Sequence, residues 1–135
     1  MSADNRSACE PTRCPTTAHA VTEAQFQKAI IDLAYSVGWR VHHSRPVQNA
    51  AGRWMTAIQG HPGFPDLVLA HEHKGVLYVE LKAAQGRLSQ HQQLWRSVLE
   101  PTGRYRLWRP DDWHTITAEL IKGPTATHDH QSRAL

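Results

Sequence analysis

The apolar positions of the chain follow two kinds of pattern. Between Thr22 and Gly38, the residues Phe26, Ala29, Ile30, Leu33, Ala34 and Val37 recur at the three-and-four spacing that lines one face of a helix. Thr22 with Gln25 three residues on reads as a capping box that starts this helix, and Gly38 ends it. Trp39 to His43 predicts a short strand. Asp66-Leu-Val-Leu-Ala70 and Val76-Leu-Tyr-Val-Glu-Leu-Lys82 are apolar runs of strand length. The short turn His71 to Gly75 between them predicts an antiparallel hairpin. Ser89 caps a second helix, with Leu94, Trp95, Val98 and Leu99 expected in the core, and Gly103 breaks it. Tyr105 to Trp108 predicts a fourth strand stopped by Pro110. Asp111 to Ile121 predicts a last short helix with Trp113, Ile116 and Leu120 on one face. Ser44 to Gly63 has no period and reads as one long loop, a length that in a compact domain points to function or mobility. The order α-β-β-β-α-β-α predicts an α/β fold, a mixed sheet with helices packed on it. Residues 1–20 and 123–135 are polar and aperiodic, and are expected to be flexible tails around one domain at 21–122.

Composition narrows the class. A chain of 135 residues is long enough for one domain with its own core and too short for two. No apolar run approaches the roughly 20 residues of a membrane span. The opening Met-Ser-Ala-Asp-Asn-Arg has no apolar stretch behind it, so no signal peptide is expected and the cytoplasm is the expected location. Cys9 and Cys14 lack histidines at zinc-site spacing and read as a reduced pair. The net charge of +3 permits a polyanionic partner, and its distribution adds to this. No acid occurs from Leu33 to Pro65, which holds Arg40, Arg45 and Arg53, nor from Leu81 to Leu99, which holds Lys82, Arg87 and Arg96. Acid-free basic stretches suit a surface that meets phosphates.

The chemistry centres on Pro65-Asp66 followed by Glu80-Leu81-Lys82. Residues two apart on a strand point to one face, so Glu80 and Lys82 share a face while Leu81 points to the core. If His71 pairs with Gly75, Asp66 falls opposite Glu80, at about 5 Å between Cβ atoms. Two carboxylates that close repel unless something positive lies between them. Hard oxygen ligands with open positions suit Mg²⁺ or Mn²⁺ rather than zinc. Such a metal polarises a phosphate and activates water, and the Lys82 ammonium can position that water and stabilise transition-state charge. The alternative is a surface ion pair between Glu80 and Lys82.

Gly63-Phe-Pro-Asp-Leu-Val-Leu69, Tyr78-Val-Glu-Leu-Lys-Ala83, and Gly86-Arg-Leu-Ser-Gln-His-Gln92 with Trp95 together resemble the PD-(D/E)xK nuclease superfamily. More narrowly they resemble its virus-type replication-repair nuclease branch, the VRR-NUC domain, in the stand-alone form of phages and bacteria. Trp108-Arg-Pro-Asp-Asp-Trp113 is similar to the ending of many phage-borne members. The resemblance spans roughly Thr22 to Leu120. It implies a restriction-endonuclease-like α-β-β-β-α-β core with a short C-terminal helix added. It implies Asp66 and Glu80 as metal ligands, completed by the Leu81 backbone carbonyl, and Lys82 serving the water. It also implies a glutamate on the first helix, matched by Glu23, and a glutamine on the second, matched by Gln92. Glu23 equally suits the helix dipole, and Gln92 could simply close a capping box with Ser89. Gln90 and Gln93 are the alternatives for the glutamine.

The implied activity is a Mg²⁺- or Mn²⁺-dependent endonuclease acting on DNA, of branched or Holliday-junction-like structure, in recombination, repair or phage replication. A sequence-specific restriction-type nuclease and a catalytically inactive DNA-binding module of the same fold are the rivals. Paired cuts by a one-site domain imply a homodimer. Arg45, Arg53, Trp54, His61 and Arg87 are expected to meet the nucleic acid, with Trp54 a candidate for base stacking. His71 and His73 beside Glu72 are expected to face solvent at the far end of the hairpin. Trp39, Trp95 and Trp113 are expected in the core.

Overall fold

A computed structural model describes residues 20–124. The expectations for residues 1–19 and 125–135, including Cys9 and Cys14, lie outside the described residues, while Gly123, expected in the tail, is buried at the end of the last helix with its N–H donated to the Glu119 carbonyl. Helix α1 spans Glu23–Ser36 and begins with the expected capping box: Thr22 Oγ1 accepts from Gln25 N, and Gln25 Oε1 accepts from Thr22 N. Strands β1 (Arg40–His43), β4 (Leu67–His71), β5 (Gly75–Leu81) and β6 (Tyr105–Trp108) form one sheet in the order β1-β4-β5-β6. The first two pairings are antiparallel and β5–β6 is parallel. A parallel pair needs a crossover, and α2 (Gln90–Leu99) supplies it. Helix α3 (Trp113–Lys122) closes the fold.

The core occupies one face of the sheet. Alternation on β4 and β5 sends Leu67, Leu69, Leu77, Val79 and Leu81 to that face. Phe26, Ile30 and Ala34 of α1, and Ile116 and Leu120 of α3, cover them. Trp39 joins this core, and its indole N–H donates to the Leu120 carbonyl at 2.9 Å. Tyr78, Glu80 and Lys82 therefore belong to the opposite face, which α2 covers.

Several expectations change at this level. Ser44 to Gly63 is not wholly irregular. It holds a small antiparallel hairpin, β2 (Val47–Gln48) with β3 (Trp54–Met55), closed by the Asn49 side chain, which accepts from Ala51 N and Arg53 N. Two-residue strands are too short to leave a periodicity in the sequence. Leu94 and Val98 are not in the core, being 60% and 67% exposed. Helix geometry allows one stripe of α2 to face the sheet, and Gln92, Trp95 and Leu99 occupy it. Leu94 and Val98 lie about 200° and 240° around from Gln92 and face away. Ala29 and Trp113 are also exposed. His71 is partly covered rather than free, its ring packing edge-on to Trp39 at 5.3 Å. Among the described residues no helix is long and apolar enough to cross a membrane.

Candidate active site

The hairpin register is the expected one, with His71 opposite Gly75 and Leu67 opposite Val79. One step further places Asp66, just ahead of β4, beside Glu80. The Asp66 Oδ2 accepts from Leu81 N at 2.8 Å, which ties its carboxylate to the end of β5. Glu80 is 1% exposed. Lys82 Nζ stands 3.4 Å from Glu80 Oε1, and Gln92 Nε2 donates to the same oxygen at 2.8 Å. Burial, then the neighbouring Asp66 charge, pushes the Glu80 carboxyl up to about 8, against the opposing pull of Lys82.

Gln92 meets both readings open to it. Its Oε1 accepts from Ser89 N and its backbone N–H donates to Ser89 Oγ, so the capping box is complete. The box fixes the amide so that its other end reaches Glu80. Gln93 instead donates to the Leu88 carbonyl, and no hydrogen bond ties Gln90 to the acids. The helix start is held against the Asp66 segment by close packing. Gly63 has φ +87°, and a Cβ there would lie 2.6 Å from His91 C and 2.8 Å from Gln92 N. The Trp95 indole donates to the carbonyls of Pro62 and His61, at 3.0 and 3.3 Å, while the Phe64 ring packs edge-on to Trp95.

Glu23 shares with Asp66 a cleft of about 530 Å³ between α1 and the segment that carries the β2–β3 hairpin. His61 lies on the cleft too. Arg45, Arg53 and Trp54 are exposed on the hairpin segment, with Trp54 70% exposed, and Arg87 is exposed on the connection between β5 and α2. Three further residues were not singled out from the sequence. His43 pairs with Leu67 and lines the cleft beside Asp66, with Gln27 Nε2 2.8 Å from its Nε2. Burial lowers the His43 pKa, opposed by Asp66. Gln27 could have been found, four residues after Glu23 on the same helix face. His43 depends on the β1–β4 register. Arg109 donates to the Ala83 and Gly86 carbonyls, both at 2.7 Å, and pins the loop that follows Lys82. Nothing in its sequence context marks that contact.

The donor set fits a hard divalent cation. Two adjoining carboxylates, one of them buried, repel each other, and a divalent cation between them would relieve that repulsion. Among the described residues no group of three or more His, Cys, Asp or Glu side chains could hold a metal. The set would thus be two carboxylates with backbone and water oxygens, as Mg²⁺ and Mn²⁺ accept. Residues 22–105 match the family model of the VRR-NUC domain. The chain belongs to the VRR-NUC family. Searches of curated proteins and of solved structures each return no match. The fold and the family agree on a nuclease-type domain with a mixed sheet flanked by helices. In this VRR-NUC domain the unit extends past the matched segment, since Trp108, Ile116 and Leu120 complete its core.

Proposed function

We propose that this VRR-NUC domain is an endonuclease that hydrolyses DNA phosphodiesters with Mg²⁺ or Mn²⁺ held by Asp66, Glu80 and the Leu81 carbonyl. The observation that carries the reading is the buried Glu80 with Asp66, Lys82 and Gln92 gathered on it. The bound cation would supply Lewis acidity at a phosphate oxygen and lower the pKa of water. The chain's own residues do the rest. Leu81 N–H orients Asp66, and the Gln92 amide orients Glu80. Lys82 brings an ammonium to the face where the phosphate would lie, to position water and offset developing charge. Arg45, Arg53 and Arg87 offer backbone contacts around it. Glu23 and His61 line the same cleft as Asp66. The substrate is branched or otherwise structured DNA, and the working unit is a homodimer that cuts two strands.

Supercoiled plasmid and a panel of single-strand, duplex, flap, splayed and four-way DNAs test this directly. Cleavage is expected with Mg²⁺ or Mn²⁺, strongest on a branched member of the panel, and absent in excess chelator. Full activity in chelator, or none on any DNA with metal, would overturn it.

A further inference from the structure

The cleft beside Asp66 has a chemistry that the cluster on Glu80 does not use. Its volume of about 530 Å³ lies within the roughly 300–1,000 Å³ of small-molecule pockets. No Lys or Arg lines it, although Arg45 lies just before β2 and Arg53 just before β3 in the same segment. The acids Glu23 and Asp66 line it instead, so away from a bound cation a phosphate inside would be repelled. Pro46, Ile58 and Phe64 give it apolar surface. Ser44, Thr56, His61 and the Gln27–His43 pair give it hydrogen-bonding groups. Apolar surface beside several hydrogen-bonding groups, with no Lys or Arg, suits a flat ring that packs by its face and hydrogen-bonds by its edge. The exposed arginines outside select the chain of phosphates that such a ring hangs from.

We propose that this cleft receives one unpaired nucleobase, turned out of the strand beside the scissile phosphate. The placement beside that phosphate rests on the nuclease reading; the base-binding chemistry does not. A base taken from a duplex must first be unpaired and unstacked, and that cost is least where the DNA is already open. The pocket therefore favours a fork, flap or branch over a continuous duplex, without any sequence-reading element.

The test is equilibrium binding of the whole chain, in chelator, to a splayed-arm duplex carrying a single 2-aminopurine at each position across the fork in turn. At one position the emission should change by about twofold or more on binding, as an unstacked base requires. Ile58→Asp, at a side chain 55% exposed and outside the core, should abolish that change while overall affinity, carried by phosphate contacts, falls less than about threefold. No responding position, or a response that survives Ile58→Asp, would overturn the pocket. Cleavage of the same DNA with Mg²⁺ reads the nuclease proposal separately. Cleavage without a 2-aminopurine response removes the pocket alone, and a response without cleavage removes the nuclease reading alone.

Discussion

Glu80 and Lys82 are the residues on which the two main readings part. Their side chains are 2% and 13% exposed, which already departs from a surface ion pair. Glu80→Ala should reduce cleavage by several orders of magnitude while DNA binding in chelator near neutral pH holds, because the buried carboxyl is then protonated and sets no charge against phosphate. Lys82→Ala should be equally inactive, with binding held or slightly weakened. A structural ion pair predicts near-normal cleavage in both and a stability change of about 1 kcal/mol or less. Cleavage within a few-fold of wild type in either variant would remove that residue from the site. Glu80 also sets a pH dependence. Its carboxyl ionises at about 8 in the fold against an ordinary 4.5. Between those values the folded chain keeps a proton that the unfolded chain has released, so metal-free stability should fall as pH rises through this window and level off above it. Thermal unfolding in chelator should show that slope for wild type and a flatter one for Glu80→Gln. Mg²⁺ should raise the melting temperature at pH 8 more for wild type than for the variant. Equal slopes in both proteins would show that Glu80 is not the group responsible.

Elements bring these residues together through a few contacts that local sequence rules do not reveal. The close approach of α2 to Gly63 is the tightest. Gly63→Ala would force a methyl to within 2.6–2.8 Å of backbone at His91 and Gln92, at a φ of +87° that disfavours any side chain. The expected cost is roughly 2–4 kcal/mol, with cleavage reduced further as Gln92 shifts from Glu80. Denaturant unfolding and cleavage rates measure the two, and a stability loss under about 0.5 kcal/mol would mean that α2 does not pack there. Helix α3 is held similarly: Lys74 Nζ donates to the carbonyls of Leu120 and Ile121, and Arg106 pairs with Glu119 at 2.6 Å. The capping boxes at Thr22 and Ser89 were legible because both partners lie three residues apart. The inward stripe of α2 was not. Leu94 and Val98 are as apolar as Leu99, and only the position of the sheet decides which of them is covered.

At the scale of the molecule, charge is segregated. The segment from Ser44 to Phe64 is mostly exposed and free of acids, and it flanks the cleft that begins at Asp66. Replacing Arg45 and Arg53 with Ala should weaken DNA binding and flatten its salt dependence by about one unit of log–log slope per lost phosphate contact. Affinity measured across a salt series checks this, and an unchanged slope would place both residues off the backbone.

The sequence alone determined the order of the main elements, the hairpin register and the meeting of Asp66 with Glu80. Each follows from short-range rules: helical spacing, strand alternation, and a turn short enough to fix its own register. The family followed from motifs on those same elements. Tertiary structure alone decided that Glu80 is buried, that the Gln92 that caps α2 also holds Glu80, and that His43 and Gln27 face the cleft. It also decided that Arg109 pins the loop after Lys82. These depend on contacts between residues far apart in the chain, whose distances are set by how helices dock on the sheet and not by the residues between them.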